Sequence, residues 1–308
     1  MENFVIFIVG PTAIGKTSLA IELAKHFKTS ILSCDSRQFY KEMKIGTAVP
    51  TDNELAAAKH YFIQNKSIQE QYSVGDFEKE ALNKLDQLFI ENNIQIVVGG
   101  SGLYVNAILN GFDEFPEIKE GIRDEITKNY DLKGLAYLEE ELKTRDITYY
   151  NFLKTTNSQT FKNPQRMKRF VEVCISSGKP YSSFLNTETK KRNFTPILIG
   201  LEAERELLYN RINQRVDIMV NDGLIEEVEQ LLPYKNLNAL QTVGYRELFA
   251  FFENKTTKEE AIEEIKKNTR RFAKRQMTWF KRNEAVKWFD FRTDKDDVLH
   301  YLNTEIIY

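Results

Sequence analysis

Cysteine and histidine are scarce in this 308-residue chain. Cys34 and Cys174 lie far apart with no CxxC, and the three histidines, His26, His60 and His300, are scattered. A disulfide framework and a zinc centre built on Cys/His spacing are therefore excluded, and the thiols fit a reducing compartment. No apolar run approaches the ~20 residues of a membrane span. The strongest N-terminal run, 4–9, leads straight into a glycine motif, unlike a signal peptide. A soluble, cytoplasmic protein without membrane partners is the expectation. Neither sign of charge dominates: 43 Lys+Arg against 45 Asp+Glu leave a net charge of −2. A uniformly basic nucleic-acid coat is excluded, but a local basic face is not. With 42% hydrophobic and 29% charged residues the composition is that of a folded chain. Its length suits one large domain, or one domain carrying an insertion.

Short apolar runs at 4–9, 30–34, 94–98, 196–201 and 286–291 read as buried strands, and a helical pattern spans Lys16 to Phe27. Strands alternating with helices predict an α/β fold with a parallel sheet. Nearly a hundred residues between the third and fourth strands lack a comparable run. There, residues 113–145 carry ten acids against six bases, and 154–192 reverse this with nine bases against two acids. Residues 112–193 are expected to form a helical insertion domain, set into a core of 1–111 and 194–308. Near the C-terminus, Thr257 and Glu260 have capping-box spacing. Ile262, Ile265, Thr269, Phe272, Gln276 and Trp279 then recur at helical steps as the expected buried stripe. From Ile265 to Asn283 there are eight Lys/Arg and no acid. Such a run repels itself unless a polyanion offsets it, although a solvated face is the plainer alternative.

GPTAIGKT, Gly10 to Thr17, matches the phosphate-binding P-loop between a strand and a helix. Its members Gly10, Pro11, Thr12, Ala13, Ile14, Gly15, Lys16 and Thr17 bring backbone N–H groups and a helix N-terminus to phosphate oxygens. Lys16 adds a point charge, and Thr17 a hydroxyl for Mg²⁺. Asp35 follows the second strand, where the strand ends of an α/β sheet line the ligand crevice. A carboxylate there can hold magnesium through water, accept a substrate proton, or simply cap a turn. The third strand ends in GGSGLY, Gly99 to Tyr104, and not in the acid usual for a P-loop ATPase. Asp35 is thus the single strand-end acid near the P-loop. Arg166 with Arg169, and Arg211 with Arg215, are spaced for one helical face, and an isolated pair of this kind is often only solvated.

Together these motifs resemble the tRNA dimethylallyltransferases, also called tRNA isopentenyltransferases. The similarity runs in order through nearly the whole chain. DSRQFYKEMKIGTAVP (Asp35 to Pro50), GGSGLY, PQRMKRFVEVCISSGKPYS (Pro164 to Ser182), the stretch Arg215 to Val228, Gly244 to Leu248, and TRRFAKRQMTWF (Thr269 to Phe280) each parallel a family pattern. Ser101 stands where the family usually has Thr, and Val49 where Lys is common. The zinc finger of eukaryotic members is absent, which implies a bacterial type. The resemblance implies a P-loop NTPase-like parallel sheet flanked by helices. It also implies transfer of a dimethylallyl group from dimethylallyl diphosphate to N6 of the adenosine just 3′ of the anticodon, in tRNAs reading codons that begin with U. It assigns catalysis to Asp35, Lys16, Arg215 and Thr17, the last with Mg²⁺. tRNA contacts would come from Asp35, Ser36, Arg37, Gln38, Ser101, Arg123, Gln165, Arg166, Met167, Lys168 and Arg169. Gly244, Tyr245, Arg246, Arg271, Lys274 and Arg275 would add to them. A monomer is expected. Two alternatives share parts of the pattern: a P-loop kinase of a small metabolite, and an isopentenyltransferase acting on free adenine nucleotides.

Overall fold

The computed structural model describes residues 2–113, 115–185 and 190–306. In chain order the first elements are β1 (Phe4–Val9), α1 (Lys16–Phe27), β2 (Ile31–Ser33), α2 (Asp52–Ala57), β3 (His60–Tyr61), α3 (Val74–Phe89), β4 (Ile94–Val98) and α4 (Gly102–Asn110). The next are α5 (Ile122–Lys133), α6 (Leu135–Arg145), α7 (Ile147–Thr156), α8 (Ser158–Phe161) and α9 (Pro164–Ser177). The chain closes with β5 (Thr195–Glu202), α10 (Arg205–Asn221), α11 (Leu224–Gln230), α12 (Tyr245–Phe252), α13 (Lys258–Phe280), β6 (Val286–Asp290) and α14 (Lys295–Glu305).

Six strands form one sheet in the order β3-β2-β4-β1-β5-β6, and every pairing is parallel. β1 is buried along its whole length. Phe4, Ile6 and Ile8 join one core cluster, while Val5, Phe7 and Val9 join the other. That is why FVIFIV is apolar without alternation: both faces of the strand are covered. β3, at the sheet edge, is only two residues long and carries no periodic signal, so the sequence reading passes over it. Helix starts follow local chemistry. Ser73 and Asp76 close a capping box on α3, and Thr257 and Glu260 close the expected one on α13.

The chain divides into two compact units, residues 1–110 with 191–308, and residues 111–190. These limits lie one and three residues from those read in the sequence. The second unit has its own core, in which Leu138, Leu142, Met167 and Val171 are fully buried and Tyr181 packs among Phe115, Tyr149 and Phe170. Among the described residues no helix is long and apolar enough to cross a membrane.

Register positions the site. β2, β4 and β1 are adjacent, and Ser33 and Ile8 both pair with Val98. The three chains therefore leave the sheet at one level. Asp35, the GGSGLY turn and the P-loop consequently emerge side by side on the carboxyl edge.

Candidate active site

The P-loop wraps the start of α1. Gly10 has φ 139°, and a Cβ there would lie 2.6 Å from the Leu201 carbonyl oxygen, so the position needs glycine. Ala13 has a positive φ of 64°, and Arg211 Nε donates to its carbonyl at 2.9 Å. Lys16 folds its ammonium back onto the Pro11 carbonyl at 2.7 Å. Burial, reinforced by the nearby Arg215 charge and opposed by Asp35, pushes the Lys16 pKa down to about 7. A cationic group held this far below its ordinary value is primed for an anion, which would restore its charge. Lys16, Thr17 and Arg215 line a cavity of about 370 Å³ together with Glu54.

Arg215, half-buried on α10, also lines a second cleft of about 330 Å³. This cleft holds Asp35, Ser36 and Arg37 on one side and Val216, Met219 and Phe272 on another. Burial lowers the Arg215 pKa, while the charges of Asp35 and Glu54 favour its cationic form. Asp35 Oδ1 accepts the Arg37 N–H at 2.9 Å, an Asx turn that fixes the carboxylate over the strand end. The neighbouring turn is tied in by Ser101, whose hydroxyl accepts from the Ser36 N–H and donates to Ser36 Oγ, both at 3.2 Å.

The rim of the cleft is held from behind. The Glu227 carboxylate accepts three backbone N–H groups, from Lys44 at 3.0 Å, Ile45 at 2.7 Å and Gly46 at 3.0 Å. It also accepts the Tyr245 hydroxyl at 2.6 Å. Gly46 is glycine because a Cβ would lie 2.6 Å from the Tyr245 ring.

Residues 38–283 match the family model described as IPP transferase. The chain belongs to the IPP transferase family. A tRNA dimethylallyltransferase of Flavobacterium johnsoniae is 64% identical over 300 residues, covering 97% of each chain. The tRNA dimethylallyltransferase 1 of Bacteroides fragilis is 42% identical, covering 98% of each. Among solved structures, the full-length tRNA isopentenylpyrophosphate transferase from Bacillus halodurans is 34% identical with a TM-score of 0.70, covering 99% of this chain and 95% of that one. A eukaryotic dimethylallyltransferase, determined in crystallographic snapshots of its action on tRNA, is 25% identical with a TM-score of 0.79. The alignment covers 99% of this chain and 77% of that one.

In this IPP transferase the expected site residues fall into three groups. Asp35, Ser36, Arg37, Arg215, Gly244, Arg246 and Arg275 converge on the cleft with Thr12, and Ala13 to Thr17 line the neighbouring cavity, with Gly10 packed on Leu201 and Pro11 holding Lys16 behind them. Gln165, Arg166 and Arg169 line a cleft of about 420 Å³ in the second unit. Lys168 lies 4.4 Å over the Tyr130 ring, and Arg123 pairs with Glu172 at 3.4 Å. The third group is engaged by the fold itself. Met167 is fully buried in the core of the second unit, because position 167 faces inward on α9. Tyr245 is likewise fully buried, its hydroxyl consumed by Glu227. The Gln38 amide is spent on the scaffold, donating to the Thr47 and Ala48 carbonyls and accepting from Ser33 Oγ.

The basic helix α13 departs from the helical stripe expected for it. The face of α13 that packs inward carries Ala261, Ile265, Ala273, Gln276 and Phe280. Phe272 and Trp279, expected inside, are 36% and 44% exposed. Arg275 is exposed and also lines the cleft, 5.7 Å from the Phe272 ring. Nor are the charges all unbalanced: Lys266 pairs with Asp217 and Glu263, and Lys267 with Glu264. Arg271 reaches Glu264 at 3.8 Å. Among the described residues, Lys274 and Arg282 have no acid within ion-pair distance.

Proposed function

We propose that this chain is a tRNA dimethylallyltransferase acting in the cytoplasm. It would move the dimethylallyl group of dimethylallyl diphosphate to N6 of the adenosine 3′-adjacent to the anticodon, in tRNAs whose codons begin with U. One observation carries this reading. Arg215 lines both the P-loop cavity and the Asp35 cleft, so a leaving diphosphate and an attacking amine can meet across a single guanidinium.

The P-loop amides and Lys16 would grip the diphosphate as a leaving group. The allylic C–O bond breaks, the diphosphate departs with the electron pair, and Lys16 and Arg215 neutralise the charge that develops. The adenine amine is a weak nucleophile because its lone pair is delocalised. Asp35 would orient it and take its proton as the N6–C bond forms, a contribution typically worth about 10²–10⁴-fold. The base must first leave the anticodon-loop stack to enter the cleft. Cations of the second unit and of α13 would offset that cost on the RNA phosphates.

Magnesium fits this donor set. Among the described residues no cluster of three or more His, Cys, Asp or Glu could hold an ion alone. The Thr17 hydroxyl at the cradle is a hard oxygen suited to an ion that takes its remaining ligands from diphosphate and water. When bound, the ion would supply further charge neutralisation on the diphosphate.

The test offers labelled dimethylallyl diphosphate together with unmodified tRNA and AMP. Label is expected in tRNA. Label in AMP alone would make the chain an isopentenyltransferase of free nucleotides. Phosphoryl transfer from ATP to a small alcohol, with neither acceptor labelled, would make it a kinase.

A further inference from the structure

Gln276 stands out on α13 because it is a polar side chain, 6% exposed, on the helix face that packs inward. Its amide spans two motifs that lie far away in sequence. Oε1 accepts the Thr12 N–H of the P-loop at 2.9 Å, and Nε2 donates to the Gly100 carbonyl of GGSGLY at 2.9 Å. The partners fix the orientation of the amide, since a backbone N–H demands an acceptor and a carbonyl a donor. The fit is close: a Cβ at Gly100 would lie 2.2 Å from Gln276 Nε2. One turn further along α13, a Cβ at Gly102 would lie 2.2 Å from the Trp279 ring. Both glycines let the turn press against the helix, and Gln276 stitches the two together.

We infer that Gln276 is a positioning residue that sets the shape of the diphosphate cradle by tying the P-loop and the GGSGLY turn to α13. Thr12 lies on the P-loop between β1 and Lys16, and it lines the Asp35 cleft. Its N–H is held by the helix and is not offered to a phosphate. The cradle is therefore completed by residues of α13, some 264 positions away in the chain. Without the amide, a part-buried N–H and a buried C=O lose their partners together. Each such loss is costly, so the P-loop would relax from the geometry that grips the anion.

This inference rests on the diphosphate reading of the P-loop, and its test uses inorganic pyrophosphate so that it does not depend on prenyl transfer. Gln276→Met keeps the volume and removes both hydrogen bonds. Pyrophosphate affinity, measured by calorimetry, is expected to fall about tenfold, with tRNA affinity within about twofold of wild type. Unchanged pyrophosphate affinity in the folded variant would overturn the inference. So would an equal loss of pyrophosphate and tRNA binding, which would mean general distortion. Gln276→Glu decides the matter if the Met variant fails to fold. A protonated carboxyl reproduces the donor and acceptor of the amide, whereas the carboxylate keeps only the acceptor. A buried Glu titrates above its usual range, so the deficit against wild type should shrink as pH falls from about 8 to about 6. A deficit flat across that range would overturn the role. Wild-type pyrophosphate binding without any prenyl transfer would refute the proposed function and leave these titrations to decide the role of Gln276.

Discussion

At the scale of single residues, the proposed reaction would divide its chemistry between Lys16 for binding and Asp35 for proton transfer. With the Lys16 pKa down at about 7, this ammonium is largely neutral above that pH and charged below it. A bound diphosphate favours the charged form and raises the pKa again. Above pH 7, binding should therefore take up as much as about one proton, and below it almost none. Calorimetry at pH 8 in buffers of different protonation enthalpy measures that uptake. Lys16→Arg, which stays charged throughout, should remove it, and an unchanged uptake would place the titration elsewhere. Asp35→Asn should keep pyrophosphate affinity while lowering turnover about 10²-fold or more at saturating substrates. Near-normal turnover would mean that Asp35 is not the base. Both residues are legible in the sequence, because each follows an apolar strand within a recognisable motif. Glu227 and Gln276 are not. Their backbone partners lie 176 to 264 positions away, and no local pattern announces such contacts. The one available signal is a glutamine within an otherwise apolar helical stripe.

At the scale of elements, the turn after β4 and the helix α13 are the parts on which the account depends. Gly99 admits no side chain, because a Cβ would lie 2.3 Å from the Cys34 carbonyl oxygen, a backbone atom that cannot swing away. Gly99→Ala is expected to destabilise the fold by about 1–3 kcal/mol, read as a lower denaturation midpoint. The start of α13 and its Ile265–Gln276 contacts follow from capping and periodicity. Periodicity alone misplaces Phe272 and Trp279, because a helix seated against a cleft exposes part of its apolar face. The ion pairs of Lys266 and Lys267 sharpen the expectation for RNA binding. Neutralising Lys274 and Arg282 together, which have no acid within ion-pair distance among the described residues, should weaken tRNA binding and lower the slope of log K against log salt by about one to two units. Neutralising Lys266 and Lys267 should change the slope little, since their charge is already balanced. Equal effects from the two pairs would remove the outer part of α13 as a distinct phosphate-binding face.

At the scale of the whole molecule, two compact units, one of them a parallel sheet with its P-loop, match proteins named for tRNA prenyl transfer along almost their full length. The core strands declare themselves by short β-branched runs, and the second unit by the absence of such runs over nearly a hundred residues. What the sequence leaves open is which charges face a ligand, since that depends on the packing of elements distant in the chain. The sheet also bears on the kinase alternative. β4 is followed by Gly99 and not by an acid, so ATP should not be hydrolysed when it is offered with tRNA. The measurement that bears most directly on the account is a nucleoside digest of unmodified tRNA after incubation with the protein and dimethylallyl diphosphate. One adenosine per reacted tRNA should become heavier by a five-carbon prenyl unit, carried on N6 and mapping next to the anticodon. Adenosines left unmodified, in an enzyme that binds both pyrophosphate and tRNA, would contradict the central claim that these two clefts form one transfer site.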